Sequence, residues 1–187
     1  SSGTNDEFGF QGQASYSWTG DFAGKLWVGG FSQNVENIEV DGSTTGTSDT
    51  STAVEAGVST SIYNINLVAY GYSGDGLGTT SLLGDAYDTQ GNARDSDGGY
   101  VQATYVIPMG TKLGVSYGQS NLDANGIDSG AVRGTLVKEN EMLTIGAYHP
   151  LTKHLNLVAE FSNVESKNNI GQSNESDTIA LGAILFF

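Results

Sequence analysis

The last eleven residues, Asp177-Thr-Ile-Ala-Leu-Gly-Ala-Ile-Leu-Phe-Phe187, constrain the fold more than any other stretch. Side chains of an extended chain alternate with a period of two. Ile179, Leu181, Ala183, Leu185 and Phe187 therefore share one face, and Thr178, Ala180, Gly182, Ile184 and Phe186 share the other. A long apolar strand ending on an aromatic leaves a soluble protein with an edge open to aggregation. In a membrane barrel the same strand is expected, because about ten residues cross the bilayer and pairing closes the edge.

The alternation recurs upstream. Phe8, Phe10, Gly12, Ala14, Tyr16 and Trp18 oppose Glu7, Gln11, Gln13, Ser15 and Ser17. Further strands are expected over residues 25–33, 52–60, 65–72, 100–107, 112–119, 142–148 and 155–161, with a bulge at Gly29-Gly30. Polar loops at 36–51, 73–98, 121–138 and 164–176 alternate with tight turns at 19–24, 61–64, 108–111 and 150–153. Long loops at one end and short turns at the other are the asymmetry of outer-membrane barrels. Glu7, Glu55, Lys112, His154 and Glu160 all avoid the apolar faces. A lysine facing lipid at mid-membrane costs about 2–4 kcal/mol, so the avoidance has a cause. Trp18, Tyr148 and Phe187 fall near the turn ends, where an aromatic girdle belongs.

Other classes are excluded or disfavoured. No apolar run reaches the length of a membrane helix, so a spanning structure has to be a closed barrel with its backbone bonded internally. The net charge of −14 supplies no basic stripe for nucleic acid. Without cysteine there are no disulfides or thiolate metal sites, and no cofactor is expected. The first residues lack the basic and apolar regions of a signal peptide. Alternation alone also fits a soluble sandwich, and a surface-binding or adhesive β protein is the non-transport alternative.

The expected fold is thus all-β, a transmembrane antiparallel β-barrel with about nine strands in one domain over residues 1–187. Single-chain bacterial barrels have even strand numbers. An odd count points to the C-terminal part of a longer protein, with one missed strand near 73–98 as the alternative.

Several segments resemble the general (non-specific) porins of proteobacteria, with nearly the whole chain corresponding to the C-terminal half of such a porin. They are Phe8-Gly-Phe-Gln-Gly-Gln-Ala-Ser-Tyr16, Ser96-Asp-Gly-Gly-Tyr-Val-Gln-Ala-Thr-Tyr105 and Leu113-Gly-Val-Ser-Tyr117. Tyr148-His-Pro-Leu-Thr-Lys-His-Leu-Asn-Leu-Val-Ala-Glu-Phe161 and the terminal Phe187 complete the set. The resemblance implies a 16-stranded, homotrimeric outer-membrane barrel passing small hydrophilic solutes by diffusion. It also implies a missing N-terminal part that carries the constriction loop, and an insertion signal containing Gly182 and Phe187.

Candidate pore-lining residues are Glu7, Gln11, Gln13, Glu55, Gln102, Lys112, His154, Asn156 and Glu160, which would set the local field and solvate ions. For any single one of them, the simpler reading is ordinary polar lining of a water-filled lumen, with no individual importance. The acidic surplus predicts a mild cation preference. Asp95 and Asp97 resemble part of a calcium loop, although the bidentate glutamate such a loop needs is missing. Together with Asp85 and Asp88 they are candidates for divalent bridging to lipopolysaccharide. Catalysis would need a nucleophile beside a base, and no serine spacing supplies one for His149 or His154.

Overall fold

The computed structural model describes residues 2–4, 8–40, 42–79 and 84–186. Glu7 and Phe187 lie outside the described residues. The strands are β1 (Ser2–Thr4), β2 (Phe10–Trp18), β3 (Phe22–Val40), β4 (Ser43–Thr44), β5 (Asp49–Ile62), β6 (Ile65–Asp75), β7 (Asp95–Val106), β8 (Lys112–Leu122), β9 (Val137–Pro150), β10 (Leu155–Asn168) and β11 (Ser173–Leu185). Among the described residues one helix, α1 (Gly130–Thr135), precedes β9.

The nine long strands form one antiparallel meander, each pairing with the next from β2 to β11. Among the described residues β2 and β11 do not pair. The closed barrel expected from the sequence is therefore seen as an open sheet with two free edges. The short β1 and β4 both pair with the far end of β3.

Register makes the two faces continuous. Leu26, Val58, Ala69, Val101, Tyr117 and Leu143 lie in one row across six strands. Leu67, Ala103, Val115, Ile145, Phe161 and Ile179 form the next. A slip of one residue on any strand would put its apolar set on the polar side. None of the described residues covers this face: Ile179 is 76% exposed and Leu181 is 79% exposed. So large an apolar surface has to meet lipid or another protein.

Several sequence expectations are corrected. Gly29 and Gly30 continue a regular ladder on both sides, with no bulge. A Cβ on Gly29 would lie 2.8 Å from Glu55 Oε1, so this glycine makes room for a side chain on the next strand. The polar stretches read as loops are partly strand, because ladder bonds continue past the apolar band. β3 reaches Val40, β5 starts at Asp49, and β10 and β11 extend to a connection of only 169–172. The two long connections are 76–94 and 123–136, and the second contains α1, capped by Ser129. Tyr148 belongs to the polar face, in register with Lys112 and Val158, and so cannot join an outward girdle. Trp18 is on the apolar face and stacks on Tyr16, with ring centroids 6.2 Å apart.

The buried core is not in the sheet, which is a single layer. It lies at the loop end, where Val35 and Ile38 of β3 pack with Ala86 and Tyr87 of the 76–94 connection.

Candidate functional site

The polar face is the candidate site, and register assembles it from residues scattered through the sequence. Trp27, Gly57, Tyr70, Tyr100 and Gly118 stand opposite one another in a single row. The adjacent row holds Gln13, Gly29, Glu55, Tyr72 and Gly98.

Glycine shapes the first row. A Cβ on Gly57 would come within 2.1 Å of Trp27 Cζ2, so only glycine lets the indole lie across β5. Trp27 thereby reaches Tyr70 on the far side, with centroids 6.5 Å apart and planes 19° apart. Tyr70 meets Tyr100 at 5.6 Å and Tyr72 at 6.3 Å. Offset rings at such separations attract by about 0.5–1.5 kcal/mol beyond their buried area.

Glu55 ties the two rows together. Its Oε1 accepts from Gln13 Nε2 at 3.0 Å and its Oε2 from the Tyr70 hydroxyl at 2.8 Å. Lys25 Nζ sits 6.0 Å from the centre of the Trp27 ring. A second array near the turn end repeats the scheme: Lys112 Nζ is 5.3 Å from the Tyr148 ring, whose hydroxyl donates to Glu160. Cation, aromatic ring and carboxylate thus alternate along the polar surface, with each charge partly compensated by its neighbours.

The loops fold over this same side. Ser51, in phase with Glu55 on β5, donates to Gly76 O at 3.1 Å and shares a hydrogen bond with the Tyr87 hydroxyl. Asp49 Oδ2, also in phase, accepts from Ala93 N at 2.7 Å. Residues Leu77, Gly78 and Thr79 then close a cavity of about 460 Å³ with Gln11, Gln13, Glu55, Tyr70 and Tyr72.

A polar latch joins the two long connections. Arg94 binds Asp128 through two bonds, Nε to Oδ2 at 3.0 Å and Nη2 to Oδ1 at 2.6 Å, with side chains 4% and 1% exposed. Its Nη1 donates to the carbonyls of Asp85 and Tyr87 at 2.7 and 2.8 Å. The Arg94 guanidinium holds the Asp128 carboxyl below the usual carboxylate range, against the opposing effect of burial. Burial pushes Asp88 up, but Asn92, Asn125 and the Gln90 amide together hold it below its ordinary value. Burial raises the Tyr87 hydroxyl, with the Ser51 hydrogen bond opposing.

The sequence candidates distribute unevenly. Gln11, Gln13, Glu55, Gln102, Lys112, Asn156 and Glu160 all lie on the polar face. His154 is instead in the turn before β10, where its Nδ1 lies 3.1 Å from Phe186 O. His149 Nδ1 lies 2.9 Å from Thr111 Oγ1. Gly182 stands on the polar face opposite Val158.

Asp95 and Asp97 belong to β7, not to a loop, and point to the opposite face from Glu55, where Asp97 Oδ2 accepts from Asn121. Among the described residues no group of three or more histidines or carboxylates is arranged to hold a metal ion. Asp88 has no exposed surface. The aromatic row and the Arg94–Asp128 latch escaped the sequence reading. The lone arginine among five aspartates in 73–98 was the available signal for the latch.

No family model matches the chain, and no curated protein matches it. Among solved structures, the fold is similar to the outer membrane channel DcaP of Acinetobacter baumannii, with a TM-score of 0.75 at 17% identity. The match covers 100% of this chain and 56% of that one, so the chain spans little more than half the channel's length. At this identity the likeness shows the fold alone, an all-β antiparallel sheet.

Proposed function

We propose that the chain forms part of the wall of a water-filled outer-membrane pore that passes ions and small hydrophilic solutes by passive diffusion. The observation that carries this reading is the two-sided sheet. Among the described residues, one face is apolar and uncovered over nine strands, while the other is polar and roofed by loops at one end. A single-layer sheet with these faces suits lipid outside and water inside. The similarity to an outer-membrane channel supports the same reading, and with it residence in the outer membrane of a Gram-negative cell.

In this proposal Gln11, Gln13, Glu55, Gln102, Lys112, Asn156 and Glu160 line the lumen. Within the height of the apolar band, the charged residues on that face among those described are Lys25, Lys112, Glu55 and Glu160, which balance. The acidic surplus lies elsewhere, on the outward face at the loop end. There Glu139, Glu141, Glu165, Glu175 and Asp177 surround Lys167, whose Nζ is 2.7 Å from Glu139 Oε1. That belt would stand at the lipopolysaccharide headgroups, and its field would concentrate cations at the mouth. Association of three copies is part of the proposal.

Planar-bilayer conductance in a salt gradient tests it. Stepwise currents in threes with a reversal potential on the cation side are expected. Silence from protein that shows heat-modifiable migration overturns the pore, and an anion-side reversal overturns the cation preference.

A further inference from the structure

A water-filled wall needs polar side chains, yet this one carries a row of neighbouring aromatic rings, Trp27 near-parallel to Tyr70 and Tyr100 tilted against it. We propose that Trp27, Tyr70 and Tyr100, with Glu55 and Gln13 beside them, form a carbohydrate-binding subsite on the polar face. The inference deepens the pore reading and rests on it.

The chemistry is that of a polyol with apolar ring faces. A sugar presents C–H groups above and below its ring and hydroxyls around the rim. The platform places aromatic rings in one row and hydrogen-bonding groups in the next. Trp27, Tyr70 and Tyr100 are joined at 6.5 and 5.6 Å, so the surface extends across more than one sugar ring. Glu55 and Gln13 lie one row away and are held in place by their mutual bond at 3.0 Å. Each Glu55 oxygen accepts one bond from protein and retains a further acceptor site for a hydroxyl.

The roof supplies an independent indication. Thr79 Oγ1 is buried at the cavity and has no hydrogen-bond partner among the described residues. Such a group costs about 1–3 kcal/mol unless something satisfies it, and a ligand hydroxyl would do so. The cavity, about 460 Å³, is lined by Gln13, Glu55 and Tyr70 of the subsite, with Trp27 and Tyr100 beyond its wall, and falls within the range typical of small-molecule sites.

The charge pattern argues against other solutes. An anion would meet Glu55, while Lys25 is the nearby cation and is already placed over Trp27. Ring faces and a carboxylate also suit an organic cation, so that ligand has to be tested.

Trp27 reports on its own site, because the chain's other tryptophan is Trp18, on the opposite face. In a Trp18→Phe background, folded protein in detergent is titrated with maltotriose and Trp27 emission is recorded. A saturable change is expected, weakened about tenfold by Tyr70→Ala and unaltered by Tyr117→Ala, which removes a ring from the apolar face. Absence of a saturable response in folded protein overturns the proposal, as does an unchanged affinity in Tyr70→Ala. So does a response to tetramethylammonium chloride without one to maltotriose. Bilayer recordings separate this from the pore reading. Currents without a fluorescence response overturn the subsite alone, whereas a response without currents upholds the subsite and removes the channel.

Discussion

Replacing Arg94 with methionine tests whether the roof is a separately stabilised unit. The substitution keeps an unbranched apolar stem but deletes all four hydrogen bonds made by the guanidinium. Asp128 would be left buried, with its remaining support from the Asn125 amide at 2.8 Å. Removing one member of a buried pair costs about 3–5 kcal/mol, because the stranded charge lacks both water and partner. Opening of the connections should then become roughly 150- to 4,000-fold more frequent.

Hydrogen exchange on the folded protein in detergent reads this directly. The Arg94 amide bonded to Ala86 O and the Gly76 amide bonded to Arg94 O should lose protection, while amides of the β8–β9 ladder keep theirs. Adding Asp128→Leu should recover much of the loss, since no unpaired charge then remains. The reasoning is refuted if Arg94→Met changes loop protection by less than about tenfold, or if protection falls equally in the strands.

Other outcomes follow from the same structure. Asp128 and Asp88 both titrate below their ordinary values, so their contribution is fully present above the unfolded carboxylate value of about 3.9 and disappears as pH falls through the folded values. Loop protection should therefore be flat from pH 5 to pH 7 and collapse only below about pH 4, with the strands intact. Ile145→Lys should destabilise the protein in vesicles by about 2–4 kcal/mol, whereas Thr144→Lys, one residue away on the polar face, should cost far less in urea unfolding. Gly57→Ala places a methyl where the Trp27 ring lies, so a cost of about 1–3 kcal/mol and a shifted Trp27 emission are expected in the Trp18→Phe background.

Strand existence, direction and facing were legible because a period of two is a local property of the chain. All nine long strands fall where the alternation puts them, and Glu55, Lys112 and Glu160 share a face for that reason. Strand ends were less legible. At the loop end the ladders continue through polar residues such as Asp49, Asp95 and Lys167, which carry no hydrophobic alternation.

What tertiary structure alone decided is which residues from different strands become neighbours. Nothing near Trp27 in the chain indicates that Gly57 will leave it space, or that Tyr70 will meet it two strands away. Nor does sequence place Asp128 against Arg94, since loop conformation depends on what the loop finds to bury. Alternation specifies the two faces residue by residue, because each side chain answers to the solvent on its own side. The aromatic row and the latch depend on register between strands and on packing between loops, and these are set by contacts between parts of the chain far apart in sequence.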